Sequence, residues 1–500
     1  MGTFIGVYIP VVQNILGVIL FLRLAWIVGQ AGLKQSYLIL TLGTGTSFLT
    51  ILSMNAIVTN GKIRTGGVYY MVSRSLGPAT GGSIGFLYYL AITLASAMYI
   101  LGSVETFIVW TDLKIANSVE FSMRFYSIVV LACLVLITHI GIGVVSKAGT
   151  VFSAFALVSI VCILIGLFEH KGLPEAAHSA EDRTEFENFD GLTGLSKENF
   201  KNNLSADYDE GVSFEICLAV FFNACTGILS ACNRSVDLKN PSYAIPRGTI
   251  AASISTTVLY FLFLNLLAAV ADRDALKSLN FIITAEVAWP WKWLVYIGIV
   301  MSSTGAALVT LSGAPRILNA IANDEMFPKP LNFLKGKIRN SLFFTAGIIT
   351  GAICIGSIEG VAPLVTICYL VCYGGVNVAC LLLDLVGSPN WRPTWRFYSK
   401  FTSCLGVVLC LTMMVLISIV MSIVAIMSAV LIYTYLAKKS QKKNWGDGME
   451  GIRAETARNA LLKIDKHKKH VKNWRPHYLA LGYVKNTGRL ASPGILKLLH

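Results

Sequence analysis

The hydrophobic pattern of this chain is one of long apolar runs separated by short polar joints. A bilayer core about 30 Å thick takes about 20 helical residues to cross. With that ruler, apolar spans fall near 6–29, 35–58, 80–108, 125–144, 149–168, 212–232, 248–271, 289–321, 342–356, 361–386, 400–418 and 419–437; they are numbered 1 to 12 in chain order. A lone segment in hydrocarbon satisfies its backbone only as a helix. The pattern therefore predicts an all-α membrane protein with twelve transmembrane helices over 1–437, and the start of a cytoplasmic C-terminal domain over 438–500. The first span begins almost at Met1 and passes directly into the next, which argues against a cleavable signal peptide.

Composition agrees. Of 500 residues, 55% are hydrophobic and 14% charged, against about a quarter charged in soluble domains. Mean hydropathy is +0.65. The eleven cysteines all fall in apolar stretches, without metal-ligand spacing, and read as packing residues.

A net charge of +14 raises the question of nucleic acid, but the basic residues sit in joints and tail. Lys62, Arg64 and Arg74 follow span 2, Lys147 follows span 4, and Arg234, Lys239 and Arg247 follow span 6. Lys329, Lys335, Lys337 and Arg339 follow span 8; Arg392, Arg396 and Lys400 follow span 10. All these joints share a side with the termini, which retained Lys and Arg mark as cytoplasmic. The expected setting is a multi-pass plasma-membrane protein in a lipid bilayer, with no nucleic-acid partner. The opposite face carries the loop 169–211, rich in Glu181, Asp182, Glu185, Glu187 and Asp190, with the sequon Asn203-Leu204-Ser205 as its expected glycosylation site. Glu215, in span 6, reads as facing an outer vestibule. In the tail, Lys438, Lys439, Lys442 and Lys443 precede an expected helix at 450–464; His467 and His470 lie among lysines, which disfavours a metal site.

Two spans are interrupted in mid-run by glycine and polar residues: Gln13-Asn14-Ile15-Leu16-Gly17 in span 1 and Asn223-Ala224-Cys225-Thr226-Gly227 in span 6. These open two successive groups of five helices, about 6–168 and 212–386. Paired interruptions at corresponding places point to an inverted repeat with its site at the midplane. Unwound carbonyls replace water around a cation, and exposed amides stabilise an anion. Glycines for close helix packing are the plainer explanation, but the match of two breaks carrying Asn14 and Thr226 favours a site. Neither break holds Asp or Glu, which suits a small inorganic cation and anion better than a proton or an organic cation.

Several motifs are recognisable. Gln13-Asn14-Ile15-Leu16-Gly17 with Val18 through Arg23, Ala56-Ile57-Val58-Thr59-Asn60-Gly61, Ala97-Met98-Tyr99-Ile100-Leu101-Gly102, Thr226-Gly227-Ile228, Asn233-Arg234-Ser235 and Gly313-Ala314-Pro315-Arg316 closely resemble the cation–chloride cotransporters; so do Trp445-Gly446-Asp447-Gly448 and Asn473-Trp474-Arg475-Pro476 in the tail. The resemblance implies the 5+5 inverted-repeat fold of amino acid–polyamine–organocation transporters, with helices 11 and 12 (about 400–437) appended. It implies potassium on the carbonyls of Asn14, Ile15 and Asn223 and the hydroxyls of Tyr99 and Thr226. An outer chloride would rest on the amides of Gly17, Val18 and Ile19, and an inner one on Gly227, Ile228 and Leu229 with the hydroxyl of Tyr373. Arg23 and Glu105 would close the outer vestibule. It also implies a homodimer.

Sodium-dependent relatives place two serines in helix 8 where this chain has Gly305 and Ala306. Neither has a side-chain oxygen, so the sodium site is expected to be lost. With the long loop between spans 5 and 6, this resembles the potassium–chloride branch and implies electroneutral symport by alternating access, with K+ and Cl- as substrates and no cofactor or enzymatic site. Asn223 stands where the family has proline, and Gly374-Gly375 replace bulkier residues after Tyr373. A sodium-coupled cotransporter, an amino-acid permease of the same fold and a non-transporting regulatory subunit are the alternatives.

Overall fold

A computed structural model describes residues 2–61, 66–115, 118–169, 192–278, 282–356, 358–386, 391–443, 456–458 and 460–463. Among them eleven helices are long and apolar enough to cross a membrane. They are Phe4–Leu22, Leu24–Thr59, Pro78–Thr111, Val119–Ile140, Gly143–Glu169, Phe214–Asn233, Pro241–Val270, Lys292–Asn323, Gly360–Leu385, Lys400–Ile417 and Ile419–Lys439. Span 9 is the shorter apolar helix Ile338–Ile353, which completes the twelve. The last helix runs to Lys443, so the lysines at 438 and 439 extend span 12 rather than opening the tail. Residues 1–450 form one compact unit and 451–500 another; in the second, 456–458 and 460–463 are helical. Lys62, Arg64, the acidic cluster Glu181–Asp190, His467, His470 and the tail motifs at 445–448 and 473–476 lie outside the described residues.

The packing shows why two groups of five helices make one domain. Span 3 packs on span 8, span 2 on span 7, and span 4 on span 9. Span 3 also packs on span 10, and span 8 on span 5; span 2 meets spans 6 and 10, and span 7 meets spans 1 and 5. Adding or subtracting five from each helix number maps these pairs onto one another. Because five is odd, the second group enters the membrane from the opposite side, which makes the repeat inverted.

The first two helices run on with little interruption. After Leu22 the backbone kinks at Arg23 and continues helically to a sharp turn at Gly32 (φ 63°, ψ 167°). A Cβ on Gly32 would stand 2.3 Å from the Ser205 carbonyl oxygen, so the turn needs glycine for both its dihedral and its neighbour. That neighbour belongs to the loop between spans 5 and 6, whose described part (192–211) straps over this turn. Leu33 N–H donates to Asn203 O at 2.8 Å and Asp207 N–H to Gln30 O at 2.9 Å. On the other side Thr193 N–H reaches Val270 O and Ser196 N–H reaches Ala269 O. Lys277 binds both Asp207 and Asp209 at 2.8 Å.

The expected glycosylation at Asn203 is corrected by this strap. Asn203 is 1% exposed, and its Nδ2, the atom a glycan would need, donates to Ala268 O at 3.0 Å and Ala271 O at 2.9 Å. The sequon marks a structural amide. Glu215, by contrast, is exposed at the start of span 6.

Two expectations follow. Glycosidase treatment of protein from a glycosylating host will leave its mobility unchanged at Asn203, while Asn203→Ala, which orphans two buried carbonyls, will cost about 1–3 kcal/mol of thermal stability. Hydrogen bonds from Lys277 hold Asp207 and Asp209 below the usual carboxylate range. Burial opposes the Lys277 charge, but the two carboxylates more than offset it and hold its amine above the usual value. The carboxylate contribution is complete above about pH 4 and fades as pH falls through the lowered native values; that of Lys277 fades only above about pH 10.4. Amide exchange of 203–211, corrected for intrinsic rate, will therefore stay level from pH 5 to 8 and quicken below pH 4.

Candidate functional site

Both interruptions are real breaks. In span 1 a helix ends at Ile15, Leu16 turns away (φ −86°, ψ 41°), and a new helix starts at Val18 after extended Gly17. In span 6 the helix Phe214–Phe222 tightens into a 3-10 turn, Asn223–Cys225, followed by extended Thr226 (φ −78°, ψ −179°). Gly227 has φ +92°, a value that glycine alone adopts without strain. The helix beyond it is short, Ser230–Asn233, and gives way to a 3-10 turn at Ser235–Asp237.

The breaks touch. A Cβ on Gly227 would lie 2.6 Å from Asn14 Cβ, and one on Gly17 would lie 3.0 Å from Tyr99 Cε1. Asn14, Gly17, Tyr99, Asn223, Thr226 and Gly227 therefore meet at one place, and all but the glycines have relative exposures of 2% or less. Span 3 reaches it because Gly102 has no side chain; a Cβ there would strike Val18 at 2.5 Å.

The oxygens assigned to a cation are partly held by the protein itself. Tyr99 Oη donates to Asn14 O at 3.1 Å, and Thr226 Oγ1 donates to Asn223 O at 2.7 Å. Ile15 O accepts from Tyr260 Oη at 2.8 Å and Leu16 O from Ser302 Oγ at 3.0 Å. Cys225 O accepts from Ser47 Oγ at 3.0 Å and from Tyr373 Oη at 3.3 Å. Tyr373 is thus at the span 6 break, its hydroxyl on the carbonyl two residues before Gly227. Tyr260, Ser302 and Ser47 were missed in the sequence; Tyr260 is a lone hydroxyl in an apolar run, while Ser302 precedes Ser303 and Thr304, and Ser47 follows Thr44 and Thr46.

Other polar atoms have no partner. Both side-chain atoms of Asn14, Oδ1 of Asn223, Nε2 of Gln13 and Oγ of Ser303 are buried without a hydrogen bond. Native proteins keep few such groups, each costing about 1–3 kcal/mol, and concentrate them where a ligand completes the bonding. Asn223, in the family's proline position, ties its Nδ2 to Ala219 O and Ala362 O (3.0 and 3.3 Å) and leaves its side-chain oxygen at the break.

Helix 8 passes beside span 1 at Gly305 and Ala306. A Cβ at Gly305 would fall 1.9 Å from Gln13 Nε2, so the Gln13 amide fills the room a serine side chain would take. On the outer side, Arg23 Nη2 binds both oxygens of Glu105 at 2.8 and 3.1 Å. The pair is largely buried, with side-chain exposures of 5% and 23%. Arg23 follows Gly17 by about 9 Å of helix at 1.5 Å per residue, which puts the closure one to two turns above the break.

Broken helices meeting at mid-membrane inside a five-plus-five repeat are the architecture to which the comparisons also lead. The amino acid permease family model matches residues 6–480. The chain belongs to the amino acid permease family. Among curated relatives, cation-chloride cotransporter 1 of Arabidopsis thaliana is 38% identical, with 95% of this chain aligned to 51% of the relative. Cation-chloride cotransporters 1 and 2 of Oryza sativa subsp. japonica are each 36% identical over the same shares. The chain spans about half the length of these relatives. The resemblance read from its motifs holds across nearly all of it, and it is a multi-pass membrane protein of a transporter family.

Backbone geometry at the break is directly testable. Gly227→Ala will lose about 1–3 kcal/mol from its positive φ and more from the contact with Asn14, read as a lower melting temperature in detergent. Gly347→Ala, in open space on helix 9, will leave it unchanged or raised.

Proposed function

We propose that the chain is an electroneutral potassium–chloride symporter working by alternating access. The observation that carries this reading is the convergence of two broken helices on buried, unpartnered polar atoms without a carboxylate. Potassium takes the carbonyls of Asn14, Ile15 and Asn223 with the hydroxyls of Tyr99 and Thr226. One chloride takes the amides of Gly17, Val18 and Ile19, where a helix begins and has no acceptors of its own; a second takes Gly227, Ile228 and Leu229. Two opposite charges one helical turn (about 5.4 Å) apart attract by about 3 kcal/mol at an effective dielectric constant near 20. Each ion thus raises the other's affinity, which is the physical content of coupling.

Carrying the potassium with only one of the two chlorides, the other staying bound, moves no net charge and removes the membrane potential from the driving force. Direction then follows the product of the two ion gradients. The Arg23–Glu105 pair is the outer gate, and the cytoplasmic-side cavity described below is the open path. Gln13 at Gly305 supports sodium independence, since a protein amide stands where a sodium-binding serine would be. The curated relatives' cation–chloride transport is the basis for the ion classes; the choice of potassium without sodium rests on Tyr99, Gly305 and Ala306. A homodimer in the plasma membrane with cytoplasmic termini is part of the same proposal.

Rubidium uptake into proteoliposomes at zero potential tests it. Uptake will require chloride, ignore sodium, and show a rubidium KM raised at least ~10-fold in Tyr99→Phe, about 1.4 kcal/mol. Sodium-dependent uptake would make the protein a sodium-coupled cotransporter. Absent or chloride-independent uptake would refute symport and favour a regulatory role.

A further inference from the structure

The site does not end at the breaks. A small cavity of about 20 Å³ has Asn14 and Gly227 on its inner wall and Ser230, Arg234, Ser312 and Arg316 further out. That is room for one water-sized occupant. A wider cavity of about 320 Å³ shares Ser312 and Arg316 with the first and adds His139 and Arg339 to its walls. Together they lead from the breaks towards the side of the basic joints.

The walls carry an excess of positive charge. Arg316 is paired with Asp237 at 3.1 Å. Arg234 forms no ion pair with a described carboxylate, although it lines the cavity between Arg316 and the span 6 break. Burial first, and then the neighbouring Arg316 charge, pull the Arg234 guanidinium down to about 10, with the Asp237 carboxylate opposing them, which leaves it charged at neutral pH. A basic residue serving only to hold the helix end at the interface would turn its head to lipid headgroups; this one faces inward. Two neutral donors share the wall. Ser230 Oγ and Asn14 Nδ2 are both buried and without a partner. The amide oxygens of Asn14 and Asn233 are also buried and unpartnered on this wall, but the full guanidinium charge outweighs their partial charges and favours an anion over a cation.

We propose that this cavity extends the anion site at the span 6 break towards the basic side, with Arg234 and the Ser230 hydroxyl receiving chloride or a halide like it and loading the transport site from there. The proposal rests on the symport reading and deepens it. Gly227 lines this cavity too, so the space continues from the amides at the span 6 break past the short helix Ser230–Asn233 to Arg234. Gly227, Ser230 and Arg234 all line the one cavity, with Ser230 opening the short helix Ser230–Asn233 and Arg234 closing it. An anion released from the break meets Ser230 and then Arg234 on its way out, and one entering meets them in reverse. Charged entrances of this kind raise local counter-ion concentration ten-fold or more.

The test is a sided one in cells expressing the full chain. Rubidium efflux is measured against internal chloride, clamped with an ionophore, and rubidium influx against external chloride. Arg234→Gln will raise the internal chloride KM by ~10-fold and leave the external KM within two-fold. Arg234→Lys, which keeps the charge, will restore most of the internal affinity, and surface expression of both variants controls for folding. An unchanged internal KM in Arg234→Gln, or equal shifts on the two sides, would overturn this extension of the anion site while leaving symport intact. Wild-type efflux that ignores chloride altogether would instead defeat the symport reading on which the site depends.

Discussion

A helix broken inside a membrane frees carbonyls and amides that lipid cannot satisfy, each at a cost of several kcal/mol. The rest of this structure is arranged around that constraint. Tyr99, Tyr260 and Ser302 donate to the three consecutive carbonyls from Asn14 to Leu16, and Ser47 with Tyr373 donates to Cys225. These donors come from spans 2, 3, 7, 8 and 10, so helices far apart in sequence are tied to the same few backbone atoms. The close approach needs glycine at contact points: Gly102 under Val18, Gly227 against Asn14, and Gly305 under Gln13. A hydrogen bond from a tyrosine or serine hydroxyl is strong enough to hold a freed carbonyl and weak enough, about 1 kcal/mol net, to be exchanged for an ion.

The same constraint explains the two ends of the site. On one side of the breaks lie the strap over Gly32 and the buried Arg23–Glu105 pair, held by charge-assisted contacts. On the other side the helix after Gly227 is only four residues long, and the wall beyond it is polar and cationic. The inverted relation of the two five-helix groups gives each break an equivalent partner pointing the other way, as alternating access about a midplane site requires.

Much of this was legible in the sequence. The Arg23–Glu105 pair was implied by the family resemblance alone; twelve apolar spans and two interruptions at Asn14–Gly17 and Asn223–Gly227 correspond to structural features on their own. They are local: an apolar run, or a glycine with a polar neighbour, declares itself without tertiary information. Tyr260, Ser302 and Ser47 do not, because a hydroxyl in a transmembrane run looks the same whether it bonds its own helix at i−4 or a carbonyl across the bundle. Thr93 and Thr106 take their own helix's carbonyls at i−4, and nothing in their neighbourhood distinguishes them from Ser302. Asn203 failed for the converse reason. A sequon is a local pattern, but whether its amide is free depends on Ala268 and Ala271, some seventy residues away. Gln13 is intermediate: its place in the interruption was visible, its seat over Gly305 was not.

The account makes one central claim, that the two breaks together hold a cation and an anion through backbone and hydroxyl groups. It is tested most directly by a high-resolution structure determined with rubidium and bromide in place of potassium and chloride, using anomalous scattering to locate each. The account predicts a rubidium peak among the oxygens of Asn14, Ile15, Tyr99, Asn223 and Thr226, with bromide on the amides after Gly17, and loss of the rubidium peak in Tyr99→Phe. Rubidium and bromide absent from the breaks, in protein that transports both, would contradict it.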